Sequence, residues 1–64
     1  MQKIFLVFDE SNIEGEYYND LVGVCSTVEE ANILIGDINA ESKPYKEHRG
    51  YMLEVYYGWR ENGY

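Results

Sequence analysis

His48 and Cys25 are the single histidine and the single cysteine of this 64-residue chain. A thiol beside an imidazole would make an activated nucleophile. General-base work by His48 would also need a substrate pocket and an orienting partner. His48 lies among Lys46, Glu47 and Arg49 and reads as an exposed loop histidine. Cys25 closes an apolar run and reads as a small buried hydrophobe. No catalytic residue is assigned, and an enzyme is not expected.

Carboxylates offer a second chemistry. The stretch Asp9-Glu10-Ser11-Asn12-Ile13-Glu14-Gly15-Glu16 is rich in oxygen ligands. A calcium loop of the EF-hand kind needs glycine sixth and glutamate twelfth. Counted from Asp9, those places hold Glu14 and Asp20, so the pattern fails. A solvated acidic loop is the better account, and no metal or other cofactor is expected. No glycine-rich phosphate loop, nucleophile elbow or zinc pattern is present.

Cations next to aromatic rings offer a third. Lys43, Tyr45, Lys46, His48, Arg49 and Tyr51 fall within nine residues. Such a group suits a nucleotide or another phosphorylated ligand. Tyr45, Lys46, His48 and Arg49 are the candidate ligand-binding residues. The bland alternative is a solvated loop whose bases offset nearby acids.

The charge is lopsided. Twelve acids against five lysines and arginines leave a net charge of −7. Residues 1–42 hold nine of the acids and only one base, Lys3; residues 43–64 are nearly balanced. Such a surface repels nucleic acid and anionic membrane and favours a protein partner with a basic surface. Glu14, Glu16 and Asp20 are the acids expected to meet it. Ten residues are aromatic, seven of them tyrosine. That is more than one small core buries, and tyrosine is enriched at interfaces. Tyr17, Tyr18, Tyr56 and Trp59 are the expected aromatic contacts.

The elements that position these groups follow from pattern. Lys3–Phe8 is a continuous apolar strand of the kind found at a sheet centre. Residues 9–16 read as the loop of a long hairpin. A second strand covers about 18–25, with Leu21, Gly23 and Cys25 on one side and Val22 and Val24 on the other. Gly23 marks a bulge or a close backbone approach.

Ser26-Thr27-Val28-Glu29-Glu30 offers two overlapping capping boxes. The register capped by Thr27 starts a helix at about 28, which ends near 40 before Ser42-Lys43-Pro44. Val28, Ala31, Leu34, Ile35 and Ile38 form its apolar stripe. Residues 42–50 read as a basic loop, and a third strand covers about 51–57.

The expected fold is α+β. It is a ββαβ unit with a three-stranded antiparallel sheet in the order 2-1-3 and one helix on one face, forming a single domain over 1–64. One helix leaves the other sheet face bare. That face is expected to be buried in a homodimer or against a partner, unless the tail around Trp59 covers it. The chain has no stretch long enough for a membrane span and no signal-like start, and a lone cysteine fits a cytoplasmic protein.

Gly23-Val24-Cys25-Ser26-Thr27-Val28-Glu29-Glu30-Ala31, following Ile4–Phe8, resembles a group of small, mostly uncharacterised bacterial and phage proteins. They carry Gly-Val-x-Ser-Ser/Thr-x-Glu-x-Ala between a hairpin and a helix, then a polar loop and a last strand of Tyr, Glu and Val. The resemblance spans roughly residues 3–57. It implies the same fold and a phage or mobile-element origin. Together these features give the expected function: a non-catalytic, acidic protein-binding module that inhibits or regulates a host defence or nucleic-acid-handling protein. The alternative is a binder or sponge for a nucleotide-like ligand near residues 43–51, at a dimer interface.

Overall fold

Phe5 and Val7 set the middle of the sheet. They are almost fully buried, on a strand β1 (Gln2–Ile13) that pairs on both edges. The computed structural model describes residues 2–57. Within them lie β1, β2 (Glu16–Cys25), α1 (Val28–Ala40) and β3 (Lys46–Tyr57). The sheet order is β2-β1-β3, with both pairings antiparallel. Trp59 lies outside the described residues, as does the expectation that the tail covers the sheet.

The helix starts as its capping residues predict. Thr27 is the N-cap, in extended geometry, and its Oγ1 accepts a hydrogen bond from the Glu30 amide at 3.2 Å. Glu30 returns a carboxylate oxygen to the Thr27 hydroxyl at 3.1 Å rather than to the backbone. Glu29 and Glu30 occupy the first turn, where the helix dipole favours acids. Ala31 is fully buried, and Leu34, Ile35 and Ile38 pack beside it on Phe5, Val7, Cys25 and Met52.

Two glycines set how closely the helix lies. A Cβ on Gly50 would stand 3.0 Å from the Ile35 α-carbon and 3.2 Å from its carbonyl oxygen. The Gly50 amide also donates to Asn39 Oδ1 at 2.8 Å. Gly23 sits under Leu34, whose Cδ1 would meet an added Cβ at 2.6 Å.

The strands run further than their apolar stretches. Residues 9–13, expected in a loop, continue β1 and pair with both neighbours. Residues 46–50, also expected in a loop, open β3. Backbone pairing extends where side-chain pattern is silent, because a central strand is held by ladders on both edges. The hairpin needs only Glu14 and Gly15 at its turn, with φ of 52° and 87°. Two positive φ values make this a type I′ turn, whose twist suits a two-residue connection. Asn12 Oδ1 accepts from the Gly15 amide at 3.1 Å, closing it.

Register assigns the faces. Phe5, Val7, Asp9, Ser11 and Ile13 point to the helix side, together with their partners on β2 and β3. The open side carries Ile4, Leu6 and Phe8 on β1, opposite Val55, Leu53 and Tyr51 on β3. Phe8 and Tyr51 stack there, with centroids 5.2 Å apart. The β1–β2 register shifts between Val7 and Phe8, which pair with Gly23 and Leu21, so Val22 is the extra residue of a bulge. Leu21 was expected beside Gly23 and Cys25. The bulge turns it to the open side, opposite Phe8.

Candidate functional site

The end of the sheet furthest from the helix N-terminus gathers most of the residues singled out by chemistry. Loop residue Ser42 accepts the His48 amide on its Oγ at 3.1 Å, closing the helix side as far as the row of Ser11 and His48. Beyond that row the three strands continue as a ribbon toward the Glu14-Gly15 turn.

Glu14 occupies the turn itself. Glu16 pairs with Ile13, and Asp20 pairs with Asp9. Alternation puts Glu16, Tyr18 and Asp20 on the helix side of β2 and Tyr17 on the open side. Tyr17 and Tyr18 are 61% and 43% exposed. Each phenol leans on a carboxylate. Hydrogen bonding to Glu10 holds Tyr17 above its ordinary pKa, with smaller contributions from desolvation and from the Glu10 charge. The hydrogen bond that Tyr18 donates to Glu16 does the same for Tyr18. Both hydroxyls thus stay protonated as donors beside acceptors. The end of the hairpin is acidic on both faces and carries an aromatic ring on each.

Tyr56 does not join them. It pairs with Lys3 near the opposite end of the sheet, eight positions along β1 from the Ser11 row, roughly 26 Å away. There its ring lies 5.8 Å from the Lys3 ammonium, and its hydroxyl donates to Glu54 at 3.3 Å. The four expected aromatic contacts are therefore not one surface: Tyr17 and Tyr18 share an end, Tyr56 lies apart, and Trp59 is outside the described residues.

The cations divide too. Lys43, Tyr45, Lys46 and His48 line an open cleft with Ala40 and Glu41. A backbone bridge between Lys43 and Lys46, with bonds of 2.9 and 3.0 Å, sets the two lysines side by side. Arg49 falls on the open face of the sheet, opposite Glu10. Its guanidinium lies 3.6 Å from the Glu10 carboxylate and 5.6 Å from the Tyr51 ring centroid. The strand that replaces the expected loop is what separates Arg49 from Lys46 and His48.

His48 is not an exposed loop histidine. It is a strand residue on the helix side, opposite Ser11, which is buried. Its Nδ1 lies 3.0 and 3.1 Å from the two carboxylate oxygens of Asp9. Asp9 supplies the orienting partner that general-base chemistry requires, a feature with no sequence signal because the two residues are 39 positions apart. Cys25 is free and buried, as expected, and pairs with Phe5. Six residues of β1 separate that position from the His48 row, roughly 20 Å, so the thiol and the imidazole do not meet.

Among the described residues, no three His, Cys, Asp or Glu side chains converge as a metal site. None of their helices is long and apolar enough to cross a membrane. Comparison with models of protein families, with curated proteins and with solved structures found no match.

Proposed function

We propose that this chain is a non-catalytic protein-binding module, encoded by a phage or mobile element. In this reading it acts in the cytoplasm as a homodimer and inhibits or regulates a host defence or nucleic-acid-handling protein. The observation that carries the reading is the end of the hairpin. Glu14, Glu16 and Tyr17 lie there on a ribbon that projects past the helix-covered rows, and Tyr18 and Asp20 follow on the same strand, in the Ser11 and Asp9 rows. Glu14 is the one non-glycine residue with positive φ among those described. A carboxylate at a place better suited to glycine or asparagine fits selection for charge over local stability. Proteins that handle nucleic acid carry basic surfaces, and complementary fields would speed their encounter with this end. The phage or mobile-element origin rests on the resemblance of the Gly23–Ala31 segment.

The test is capture from a bacterial lysate by the native chain and by a variant with Glu14, Glu16 and Asp20 changed to lysine. Circular dichroism first establishes that the variant is folded. The expected result is a protein held by the native chain, released by rising salt and absent from the variant. The same proteins captured by both, with the same salt dependence, would sink the reading.

A second reading draws on the cleft of Lys43, Tyr45, Lys46 and His48, where two adjacent ammonium groups would suit a phosphorylated, nucleotide-like ligand. It predicts a rise in Tm with nucleotides that Lys46→Ala removes and Arg49→Ala does not, since Arg49 faces the other side.

A further inference from the structure

The two edges of the sheet are finished differently. Along an antiparallel strand, alternate residues aim both backbone groups at the same neighbour. On β3 the amides of Lys46, His48 and Gly50 aim away from β1, and each is met. The Lys43 carbonyl accepts the first at 3.0 Å, Ser42 Oγ the second at 3.1 Å and Asn39 Oδ1 the third at 2.8 Å. Loop and helix thus close that edge from Lys46 to Gly50.

The phase of β3 fixes that of its neighbours. Glu47, Arg49 and Tyr51 turn to Asn12, Glu10 and Phe8, so Ile13, Ser11 and Asp9 turn to Glu16, Tyr18 and Asp20 on β2. Tyr17, Asn19 and Leu21 are left with N–H and C=O aimed outward. Among the described residues no loop or helix meets these groups, and Glu16–Val22 are all exposed. An open edge is a template for another strand. Here it runs from Glu16 to Leu21, because the bulge at Val22 breaks the phase beyond.

We propose that this edge of β2 receives, as a fourth strand, an extended segment of a partner protein in which basic and apolar residues alternate. The inference rests on the protein-binding reading above and supplies its mode of contact. Glu16 and Asp20 point to the helix side, and neither has an ion-pair partner among the described residues. Residues of an added strand opposite them fall at the non-hydrogen-bonded positions, where side chains come closest and an opposite charge is favoured. Tyr17 and Leu21 point to the open side, 61 and 53% exposed, and suit apolar neighbours. Main-chain bonds to Tyr17, Asn19 and Leu21 would hold the segment, and the alternation would select it.

Charge and reach argue against other occupants. β2 carries two acids and no base, so its own copy would bring like charge to like. Paired antiparallel about Tyr18, two such strands would set Glu16 opposite Asp20 twice. Residues 58–64 follow Tyr57 on the far strand, eight rows along the sheet from Asn19 and roughly 29 Å away. Seven residues span at most about 25 Å, so they cannot lie beside Asn19.

The test uses the isotope-labelled native chain and the end-blocked peptide Lys-Val-Lys-Val-Lys-Val at low salt. By NMR the peptide should slow hydrogen exchange at the amides of Tyr17, Asn19 and Leu21. The same peptide N-methylated at each valine keeps its charge but loses the donors that would face β2, and should give no protection. Asn19→Pro removes an outward donor without breaking the ladder and should abolish binding of the unmethylated peptide. Asn19→Ala also loses the side-chain bond to Tyr51 but keeps the amide, and should still bind. Equal binding of both peptides without protection would overturn strand addition and leave a purely electrostatic surface. No binding of the alternating peptide would overturn the inference, while the protein-binding reading would still stand or fall by lysate capture. Slow exchange at these three amides in the peptide-free chain would show the edge already taken and overturn the proposed occupant. Dependence on concentration would then assign the edge to a second copy, and independence to the chain itself.

Discussion

Nδ1 of His48 lies 3.0 Å from a carboxylate oxygen of Asp9, tying β3 to β1 in the polar half of the sheet. The side chains are 10 and 20% exposed, so either group would be left poorly solvated without the other. Asp9 also faces Asp20 across the β1–β2 ladder, and the imidazole is the nearest compensating group the register provides. The pair therefore braces rows that contain almost no apolar side chains.

Removing one member should cost more than removing both. His48→Ala is expected to lower unfolding free energy by about 1–3 kcal/mol, the cost of leaving a part-buried polar group unmatched. Asp9→Ala should cost less, because it also relieves the contact with Asp20. Urea denaturation of both single variants and the double variant closes the cycle. Additive losses would mean that the two side chains act independently despite their separation.

The two glycines under the helix should respond differently to alanine. At Gly50 the added Cβ meets backbone, the Ile35 α-carbon and carbonyl oxygen, which cannot move without the helix. Gly50→Ala should cost about 1–3 kcal/mol, the usual range for overpacking. At Gly23 the obstacle is the end of the Leu34 side chain, which can rotate away. Gly23→Ala should cost less, partly offset by the reduced freedom of the unfolded chain. Equal losses in thermal melts would mean that Leu34 is as fixed as the helix backbone.

Glu14 gives a prediction in which stability and function part. Its φ of 52° is unfavourable for a residue with a Cβ, and asparagine before glycine is the preferred type I′ pair. Glu14→Asn should raise stability by up to about 1 kcal/mol. On the proposed function the same change should weaken capture of the basic partner. A variant that is both more stable and equally effective would remove Glu14 from the binding surface.

How much of this was legible beforehand depended on which force set each element. Apolar content placed β1 at the centre, and the Thr27–Glu30 cap placed the helix start. The order β2-β1-β3 followed from that central strand and the connection through the helix. The polar ends of the strands were not legible. Residues 9–13 and 46–50 are held by backbone ladders, which leave no hydrophobic alternation to read. The error carried into the site, because a loop leaves Lys46, His48 and Arg49 free to converge, whereas a strand sends Arg49 to the opposite face. The contact between His48 and Asp9 depends on register, and nothing local to either residue encodes it.

The last prediction concerns pH and the ion pair at the other end of the sheet. Lys3 Nζ lies 2.8 Å from Glu54 Oε1. The hydrogen bond from Lys3 is the main cause holding Glu54 below the usual carboxylate range, and the same bond is the main cause raising Lys3. A depressed carboxylate stabilises fully above its unfolded pKa and loses that contribution as pH falls through the folded value. A raised lysine stabilises fully below its unfolded pKa and loses it as pH rises through the folded value. The pair thus contributes across the neutral range and fades at both extremes. Both side chains are open to solvent, so the effect is small and sensitive to salt. Thermal melts of the native chain and of Lys3→Met, taken from acid to alkali, should show a difference in Tm that is flat through neutrality. That difference should close as pH falls through the folded value of Glu54 and shrink in high salt. Lys3 also lies 5.8 Å from the Phe5 and Tyr56 ring centroids, so a difference that persists in acid would trace to cation–aromatic contact instead of Glu54.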